Sequence, residues 1–549
     1  MKLNETNILS ILNANMQFVL PIYQQHYCWE KEQCNQLWKD IVRMQKDRRN
    51  NHFIGSIVNI DDINNKFTLI DGQQRMTTFT LILIVLRDYA RSNPDSGIDA
   101  AEIENKYLRN NDASCKLILT GGDEDILINL VSGKADSYLQ RNSSNNQEDE
   151  EVAIPKLIVN YKFFKQKIVE ARNPELTPKQ VYEALGKLKI VNIKLGNDDD
   201  PQAIFESLNS SGKDLSKSDL IRNFVLMSLD RRTMTRIYNN YWSKMEELFG
   251  DSEKNTTLMD DFFKDYITMY MANIPNEEQL YETFKTWFYD TTRPENVTVS
   301  TICSDIYKKA QDYTNIIFAR HTDTEFQSVY SEIRELKMEV SYPFLLKIHA
   351  DFRRGVISKE QLLQIMYMCI SYVVRRDVCS LSSNSMNQTF ARLRRRINAQ
   401  NYVESIKTAF SELRDNQRFP NNQEFFDKFV SCKLVSKQRC KYILGMLENF
   451  DRDINDSINP KNFRVERVMP ETLLPRWAEE LGANAYGLHE RYVDTIANLT
   501  IVEPKLEIID NSFIDKKHGL RNSQLKLNSY IYEQHSWTQD TLVNRKNLL

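Results

Sequence analysis

The pentapeptide Asp-Gly-Gln-Gln-Arg at residues 71–75 brings together the groups that bind phosphate and metal ions. Asp71 could hold a divalent ion, and Gly72 would let an anion approach the backbone because it has no Cβ. Arg75 could hold a phosphate through the planar fork of its guanidinium group. The residue types therefore predict a phosphate or metal site. The alternative is a tight turn in which Asp71 caps a helix and pairs with Arg75.

The segments on either side of the pentapeptide predict a strand followed by a helix. Residues 67–70 are β-prone, and residues 76–89 have apolar side chains at helical spacing, at Phe79, Leu83 and Leu86. A chain that passes from a strand through a glycine into a helix points backbone N–H groups and the positive end of the helix dipole at one place. These elements would position the pentapeptide as an anion-binding turn.

An aromatic segment precedes the pentapeptide. Tyr23, Tyr27 and Trp29 could stack on a base, and Gln24 could form hydrogen bonds with the edge of that base. The alternative is that these rings fill the core of the domain.

A helix–loop–helix pattern follows later in the chain. A helix ends in the loop Asn-Ser-Ser-Gly at residues 209–212, and Ser216 is placed to cap the next helix. Asp219 and Asn223 are four residues apart and share a helix face, with Arg222 beside them. The segment could form a second wall of a nucleotide pocket, or it could be a well-capped pair of helices with a surface charge pair.

The most basic neighbourhood of the chain lies in its helical middle. Its arginines are Arg375, Arg376, Arg392, Arg394, Arg395 and Arg396. Contact with a DNA backbone would release counterions from each neutralised phosphate. A solvated helix face explains the same charges equally well.

Length and composition describe an ordinary globular protein. The 549 residues suffice for about three domains at ~150 residues each. The chain is 41% hydrophobic and 27% charged, and its net charge of −3 argues against a uniform nucleic-acid coat while leaving room for a local basic groove. The N-terminus has no signal-peptide pattern, and the most apolar run ends at Arg87 and is too short to cross a bilayer, so we expect a soluble protein.

The cysteines exclude two kinds of stabilising site. The chain has eight of them, scattered and without a C-x-x-C pair. Zinc ribbons and disulfide frameworks need clustered cysteines, so we expect reduced thiols in a cytoplasmic protein.

Several of these segments occur in the order found in one protein family. They are Pro21-Ile-Tyr-Gln24, Trp29, Leu37-Trp-Lys-Asp-Ile41, the segments 52–58 and 70–78, and the Ile-Phe-x-x-Leu-Asn segment that begins at Ile204. The chain resembles the GmrSD-type, modification-dependent restriction proteins, to which SspE-like and BrxU-like defence proteins also belong. Their N-terminal domain is a ParB/sulfiredoxin-like domain with a DGQQR motif.

The resemblance implies binding and hydrolysis of a nucleoside triphosphate, whether GTP, UTP or ATP, with Mg²⁺ or a similar divalent metal. Asp71, as metal ligand, and Gln73, Gln74 and Arg75 would cradle the Mg²⁺–phosphate group. The other residues implied to contact the nucleotide are Tyr23 and Gln24 on the base or sugar side, Gly72, Thr77, Asn209, Asp219 and Asn223. The family has arginine where this chain has Gln25, which removes a permanent cation.

Residues 461–549 resemble the HNH-like nuclease domain that follows in the same family. The match rests on Val465–Leu473, Trp477, Leu481-Gly482, Ala497–Thr500, Asn511, Phe513, Lys516, Ser523 and Arg545. The resemblance implies a catalytic set of Glu466, Arg467, Asn498, Asn511 and Lys516, with Asn498 near the metal.

Two positions depart from the HNH-like pattern: Ala497 replaces a glycine, which is a mild change, and Arg467 makes the larger one. The family reads Glu-His-Ile-x-Pro, and here Arg467 stands at the place of the histidine that acts as general base. Arginine stays protonated, so it can hold a phosphate but cannot take a proton from water. His489, His518 and His535 lie nearby in sequence and could replace the base.

We therefore predict a predominantly helical α+β protein with a small ParB/sulfiredoxin-like sheet domain, a helical middle and an HNH-like domain of the ββα-metal type. The boundaries are 1–230, 231–455 and 456–549. The predicted function is a prokaryotic, cytoplasmic anti-phage protein that hydrolyses an NTP and acts on modified or foreign DNA. A homodimer or a partner defence protein would be compatible with this function, and a membrane partner is not expected. The alternative is a decayed DNA-binding regulator or partner subunit, for which Gln25 and Arg467 are the supporting features.

Overall fold

A computed structural model gives the structure of the chain. It describes all residues except 14–15, 25, 48–50, 63–64, 135–153, 172–173, 197, 210–214, 251–252, 294–296, 438 and 453–455, and the side chains of 208–209 and 253–256. The chain divides into two compact units, residues 1–244 and 245–549.

The first unit is built on a mixed six-stranded sheet in the order β1-β6-β3-β4-β2-β5. β3 lies near the centre, parallel to β6 and antiparallel to β4. β4 and β5 both run parallel to β2, and β1 is antiparallel to β6. The strands are β1 (Lys2–Asn7), β2 (Gln17–Val19), β3 (His52–Asp61), β4 (Lys66–Asp71), β5 (Leu117–Ile118) and β6 (Leu188–Leu195).

The helices of the first unit cover both faces of this sheet. They are α1 (Ile8–Asn13), α2 (Lys31–Lys46), α3 (Gln73–Ser92), α4 (Ala100–Ile103), α5 (Gly122–Val131), α6 (Lys156–Lys165), α7 (Pro178–Leu185), α8 (Pro201–Asn209), α9 (Lys217–Met227) and α10 (Arg231–Ile237), and α11 (Ser243–Phe249) spans the boundary between the units.

Helix α3 is the central helix of the main core. Every side chain from Met76 to Arg87 is buried, which explains why its sequence is apolar on all sides. On the opposite face of the sheet, Val58 and Ile70 pack with Phe205 of α8 and with residues of α9. The Asp71–Arg75 segment thus joins a buried strand to a buried helix.

The second unit is mostly helical. Its helices are α12 (Glu253–Met271), α13 (Leu280–Thr292), α14 (Val299–Phe318), α15 (Thr324–Glu335), α16 (Tyr342–Arg353), α17 (Lys359–Val378), α18 (Met386–Leu393), α19 (Tyr402–Ser411), α20 (Asn422–Phe429), α21 (Cys440–Asn449), α22 (Pro475–Leu481), α23 (Ala485–Tyr492), α24 (Phe513–Leu520), α25 (Lys526–Glu533) and α26 (Gln539–Leu548). None of the helices in the described part of the chain has the length and hydropathy that a membrane crossing requires.

The C-terminal part of this unit contains a small antiparallel sheet of β7 (Arg464–Arg467) and β8 (Leu499–Val502). Helix α21 is tied to this part through the buried Glu448. Its carboxylate accepts hydrogen bonds from the Lys526 N–H at 2.9 Å and the Leu527 N–H at 2.8 Å, and so caps the start of α25. A negative charge at a helix N-terminus stabilises the N–H groups of the first turn, which have no acceptor within the helix.

The structure confirms the predicted fold class, a predominantly helical α+β protein. The predicted strand–turn–helix around residues 71–75 is present. The predicted cap of α9 is also present, because the Ser216 hydroxyl accepts the Asp219 N–H at 3.0 Å. The three domain boundaries remain predictions.

Candidate functional site

The turn between β4 and α3 depends on Gly72. Its φ of +90° lies in the left-handed region. A Cβ at this position would lie 2.8 Å from Ile57 Cγ1, so only glycine fits against β3. No side chain in the described part of the chain caps α3. The N–H groups of the first turn of α3 are therefore left for another acceptor.

Asp71 ends β4 just before this turn. Burial raises the pKa of its carboxyl group, while the charge of Arg75 and the Gly72 N–H oppose that shift. No ion pair between Asp71 and Arg75 forms in the structure, and Asp71 does not cap the helix. The two contacts that the alternative interpretation requires, a helix cap by Asp71 and its ion pair with Arg75, are therefore not formed.

Arg75 is held against β3 rather than against Asp71. Its Nη1 donates to the Ser56 carbonyl at 2.9 Å. A β-bulge between Phe53 and Ser56 makes room for it, because a Cβ on Gly55 would lie 2.9 Å from Arg75 Cζ. Arg75 is half-buried and has no carboxylate at ion-pair distance among the described residues. It is a positioned cation without an ion pair among the described residues.

Gln73 and Gln74, at the start of α3, have contacts that differ from those of Arg75 and from each other. The Gln74 amide accepts the Cys28 N–H at 2.9 Å and donates to the His26 carbonyl at 3.2 Å. It therefore holds the loop at residues 26–28. The Gln73 side chain lines a small pocket beside this loop.

That pocket is a narrow crevice, too tight to admit a water molecule. Its lining residues are Leu20, His26, Tyr27, Gln73, Gln74, Thr77, Leu119, Thr120 and Asp123. The Asp123 carboxylate accepts the Tyr27 N–H at 2.8 Å and lies 3.6 Å from His26 Nδ1. His26, Thr120 and Asp123 carry no sequence motif, and only the fold brings them beside Thr77.

Tyr23 and Gln24 lie under the turn. Tyr23 is buried, and burial raises the pKa of its hydroxyl group. Gln24 is also buried and donates to the Ile70 carbonyl at 2.8 Å, which fixes the strand next to Asp71. These contacts place both residues in the interior, and their contact with a nucleotide remains a prediction. Gln25 lies outside the described residues.

Helix α9 contains residues that the sequence predicted as a second wall of the nucleotide pocket. Asp219 accepts hydrogen bonds from the Ser216 hydroxyl at 2.7 Å and from Arg222 Nη2 at 2.8 Å. Asn223 is buried, and its Oδ1 has no hydrogen bond with any described residue. The side chain of Asn209 lies outside the described residues. A role for these residues in the nucleotide site remains a prediction.

In the C-terminal part, Lys516 joins two carboxylates. The buried ammonium group donates to Glu466 Oε1 at 2.8 Å and also contacts Asp510. Arg464 pairs with the other oxygen of Glu466. Glu466 and Lys516, both members of the predicted catalytic set, thus lie in contact; their catalytic role remains a prediction. Asn511 is exposed beside Asp510.

Arg467, the last residue of β7, is bound by two carboxylates. Its Nε and Nη2 lie 3.0 Å from Asp494 Oδ1, and its Nη1 lies 3.3 Å from Glu471. His489 donates from Nε2 to the Pro470 carbonyl at 2.9 Å, so it lies against the loop that follows Arg467. His518 and His535 are exposed.

Asn498 is fully buried and its amide group is saturated. Oδ1 accepts from the Met469 N–H at 2.7 Å and Trp537 Nε1 at 3.2 Å. Nδ2 donates to the carbonyls of Met469 and Val493, both at 2.9 Å. No lone pair of Oδ1 is left for a metal ion. The geometry fits a structural role and does not support the metal role predicted from the sequence.

The predicted nucleic-acid arginines divide into two groups. Arg376 is buried and donates to the carbonyls of Arg418 and Ser382, and Arg375 is half-buried between the rings of Phe419 and Phe425. Arg394 and Arg395 lie at the end of α18, where Arg395 is exposed. Arg376 therefore faces the interior, and Arg375 is held by its ring contacts and by the Pro420 carbonyl, to which it donates at 3.1 Å.

Two family models match this chain. The model for the N-terminal domain of the GmrSD restriction endonuclease matches residues 8–226, and that for the C-terminal domain of GmrSD restriction endonucleases matches residues 419–549. No curated protein matches the sequence significantly. The matches define a restriction-type defence protein of a nuclease class that acts on DNA. This chain belongs to the GmrSD restriction endonuclease family.

Proposed function

We propose that this protein binds and hydrolyses a nucleoside triphosphate at the β4–α3 turn and acts on modified or foreign DNA. The observation that carries the proposal is Arg75, a half-buried cation fixed to the Ser56 carbonyl and without a carboxylate partner among the described residues. It lies beside uncapped N–H groups at a helix start, an arrangement that attracts phosphate.

The residues present fit a Mg²⁺ ion that arrives with the nucleotide. Among the described residues, no cluster of three or more metal-ligating side chains occurs. Mg²⁺ is commonly held by one or two carboxylates together with substrate phosphates and water, so Asp71 alone suffices as the protein ligand. The ion would neutralise phosphate charge, and its presence would favour the ionised form of Asp71. Arg75 and the N–H groups of α3 would orient the phosphates.

An NTPase assay tests this proposal. GTP, UTP and ATP are each supplied with Mg²⁺, without DNA and with plain or modified DNA. We expect turnover by the wild-type protein and loss of turnover in Asp71→Ala. Asp290→Ala is the control, because this carboxylate is 57% exposed and belongs to the other unit. Absence of nucleotide binding and turnover in the wild-type protein would refute the proposal.

A second candidate is a DNA-binding regulator whose nuclease centre has decayed. Arg467, bound to Asp494 and Glu471, favours it because this position has no group that can take a proton. A plasmid-nicking assay with Mg²⁺ separates the candidates. Decay predicts no nicking by the wild-type protein and a gain of activity in Arg467→His. Nicking by the wild-type protein would exclude decay and point to a relocated base such as His489.

A further inference from the structure

Arginines from two segments gather at the carboxyl end of helix α12. Arg394 donates to the Met269 carbonyl, and Arg395 Nη2 donates to the Met271 carbonyl at 3.2 Å. Arg354, which follows α16, and Arg394 both lie near Tyr270 in the last turn of α12. The last carbonyls of a helix carry partial negative charge, which explains why the guanidinium groups collect there.

The positive charge of this neighbourhood is only partly neutralised. Arg354 pairs with Asp351 and Arg396 with Glu412, but Arg392, Arg394 and Arg395 have no carboxylate at ion-pair distance among the described residues. Each guanidinium group has five N–H donors, and a helix carbonyl uses one or two of them. Burial and the neighbouring charge of Arg395 lower the pKa of Arg394, so these cations disfavour one another in the folded protein. An anion bound here would relieve that repulsion.

The groups are accessible to a large anion. Arg392 and Arg395 are exposed, and the side chains of Arg354 and Arg396 are 65% and 54% exposed. Because several exposed guanidinium groups from two segments share one neighbourhood, they suit an extended polyanion better than a single phosphate ion. The chain as a whole is acidic, with a net charge of −3, so this concentration of positive charge is local.

We propose that the arginine cluster of Arg354, Arg392, Arg394, Arg395 and Arg396 binds the sugar-phosphate backbone of the DNA on which this protein acts. The inference rests on the proposed action on DNA and adds the surface that holds it. The cluster lies between residues 226 and 419, outside both family matches. Arg375 and Arg376 are not part of this surface, because they bind interior carbonyls and rings.

The test is the salt dependence of DNA binding by the full chain, measured by fluorescence anisotropy with a labelled duplex between about 50 mM and about 200 mM salt. Arg392→Ala/Arg395→Ala removes the two exposed cations without an ion pair. We expect the slope of log K against log salt to become less steep by about two, roughly one for each lost phosphate contact. The variant should keep the wild-type melting temperature, since both side chains are exposed.

Arg231→Ala/Arg293→Ala is the matched control, because it removes the same charge from side chains that are 74% and 79% exposed elsewhere. An equal change of slope in the control would overturn the inference, since net charge would then explain the effect. Wild-type binding with an unchanged slope in the cluster variant overturns the inference but not the proposed function. No wild-type binding overturns both. Displacement of DNA by polyglutamate at an equal charge concentration would overturn the assignment to nucleic acid.

Discussion

The side chains of the DGQQR turn have different contacts and therefore different roles. Arg75 is fixed to β3, and Gln74 holds the loop at residues 26–28. Gln73 faces the pocket, while Asp71 remains between strand and helix without an ion pair. Gln74 therefore acts in positioning the loop, whereas Arg75 uses one of its five N–H donors on β3 and keeps the others for a ligand.

The ionised form of Asp71 should lower the stability of the folded protein. Its pKa is raised by burial above the ordinary value of 3.8, so the folded state binds the proton more tightly than the unfolded state. Stability is then lost as pH rises from 3.8 through the folded pKa. We expect Asp71→Asn to increase the free energy of unfolding at about pH 7 more than at about pH 5, by urea denaturation. A less stable variant at neutral pH would show that the attraction to Arg75 outweighs burial.

Asn498 should matter for stability far more than the exposed Asn511. Asn498→Ala removes four hydrogen bonds and leaves the Met469 N–H and Trp537 Nε1 buried without an acceptor. We expect a loss of about 2–4 kcal/mol in the free energy of unfolding. Asn511→Ala, on an exposed side chain, should change it by less than about 0.5 kcal/mol. Equal effects in thermal unfolding would contradict the structural role of Asn498.

At the scale of elements, the close packing of β3 against the β4–α3 turn determines the geometry of the site. Gly72 and Gly55 both have positive φ, and both face atoms that a Cβ would strike. The Gly55 bulge accommodates Arg75, and Gly72 allows the chain to leave β4 and start α3 against Ile57. Strand and helix are thus joined by backbone geometry rather than by a side-chain cap.

Gly72→Ala should therefore be destabilising. Left-handed backbone costs roughly 1–2 kcal/mol for a residue with a Cβ, and the 2.8 Å contact with Ile57 adds to it. We expect a lower melting temperature by circular dichroism and weaker nucleotide binding. Gly122→Ala is the control, because a Cβ there meets nothing within 4 Å. A variant at Gly72 as stable as this control would show that the turn adapts.

On the scale of the whole molecule, the two compact units enclose most of the thiols. Six of the eight cysteines are buried, and only Cys28 and Cys432 are partly exposed. Burial raises the pKa of Cys34 to about 11 and those of Cys303 and Cys440 to about 12. No disulfide forms among the eight, all of which lie in the described part of the chain.

These thiols should report on unfolding. Because the thiolate is the reactive form, a thiol reagent at about pH 8 should modify at most Cys28 and Cys432 quickly in the native protein. The remaining six should react only as each unit opens, and all eight should react in denaturant. The measurement is the number of thiols titrated against time. Rapid reaction of more than two native thiols would contradict the buried positions.

Local patterns in the sequence predicted the elements correctly where a single periodicity dominates. The strand–turn–helix around Gly72 and the Ser216 cap depend on neighbours within a few residues, and both are present. Family membership also followed from motifs in order along the chain. Local sequence patterns could not predict the parts of the site that depend on contacts between distant segments.

The sequence by itself determined that a set of residues suited to phosphate binding lies on a strand-to-helix turn, because backbone preference and side-chain type are local properties. Only the tertiary structure decided which of the predicted side chains are held by the protein and which stay exposed. It docked Arg75 on the Gly55 bulge, placed Asp123 beside Tyr27, saturated Asn498 and turned Arg376 inward while Arg395 stayed exposed. Burial and hydrogen-bond partners arise from segments far apart in sequence, so residue type alone cannot assign them.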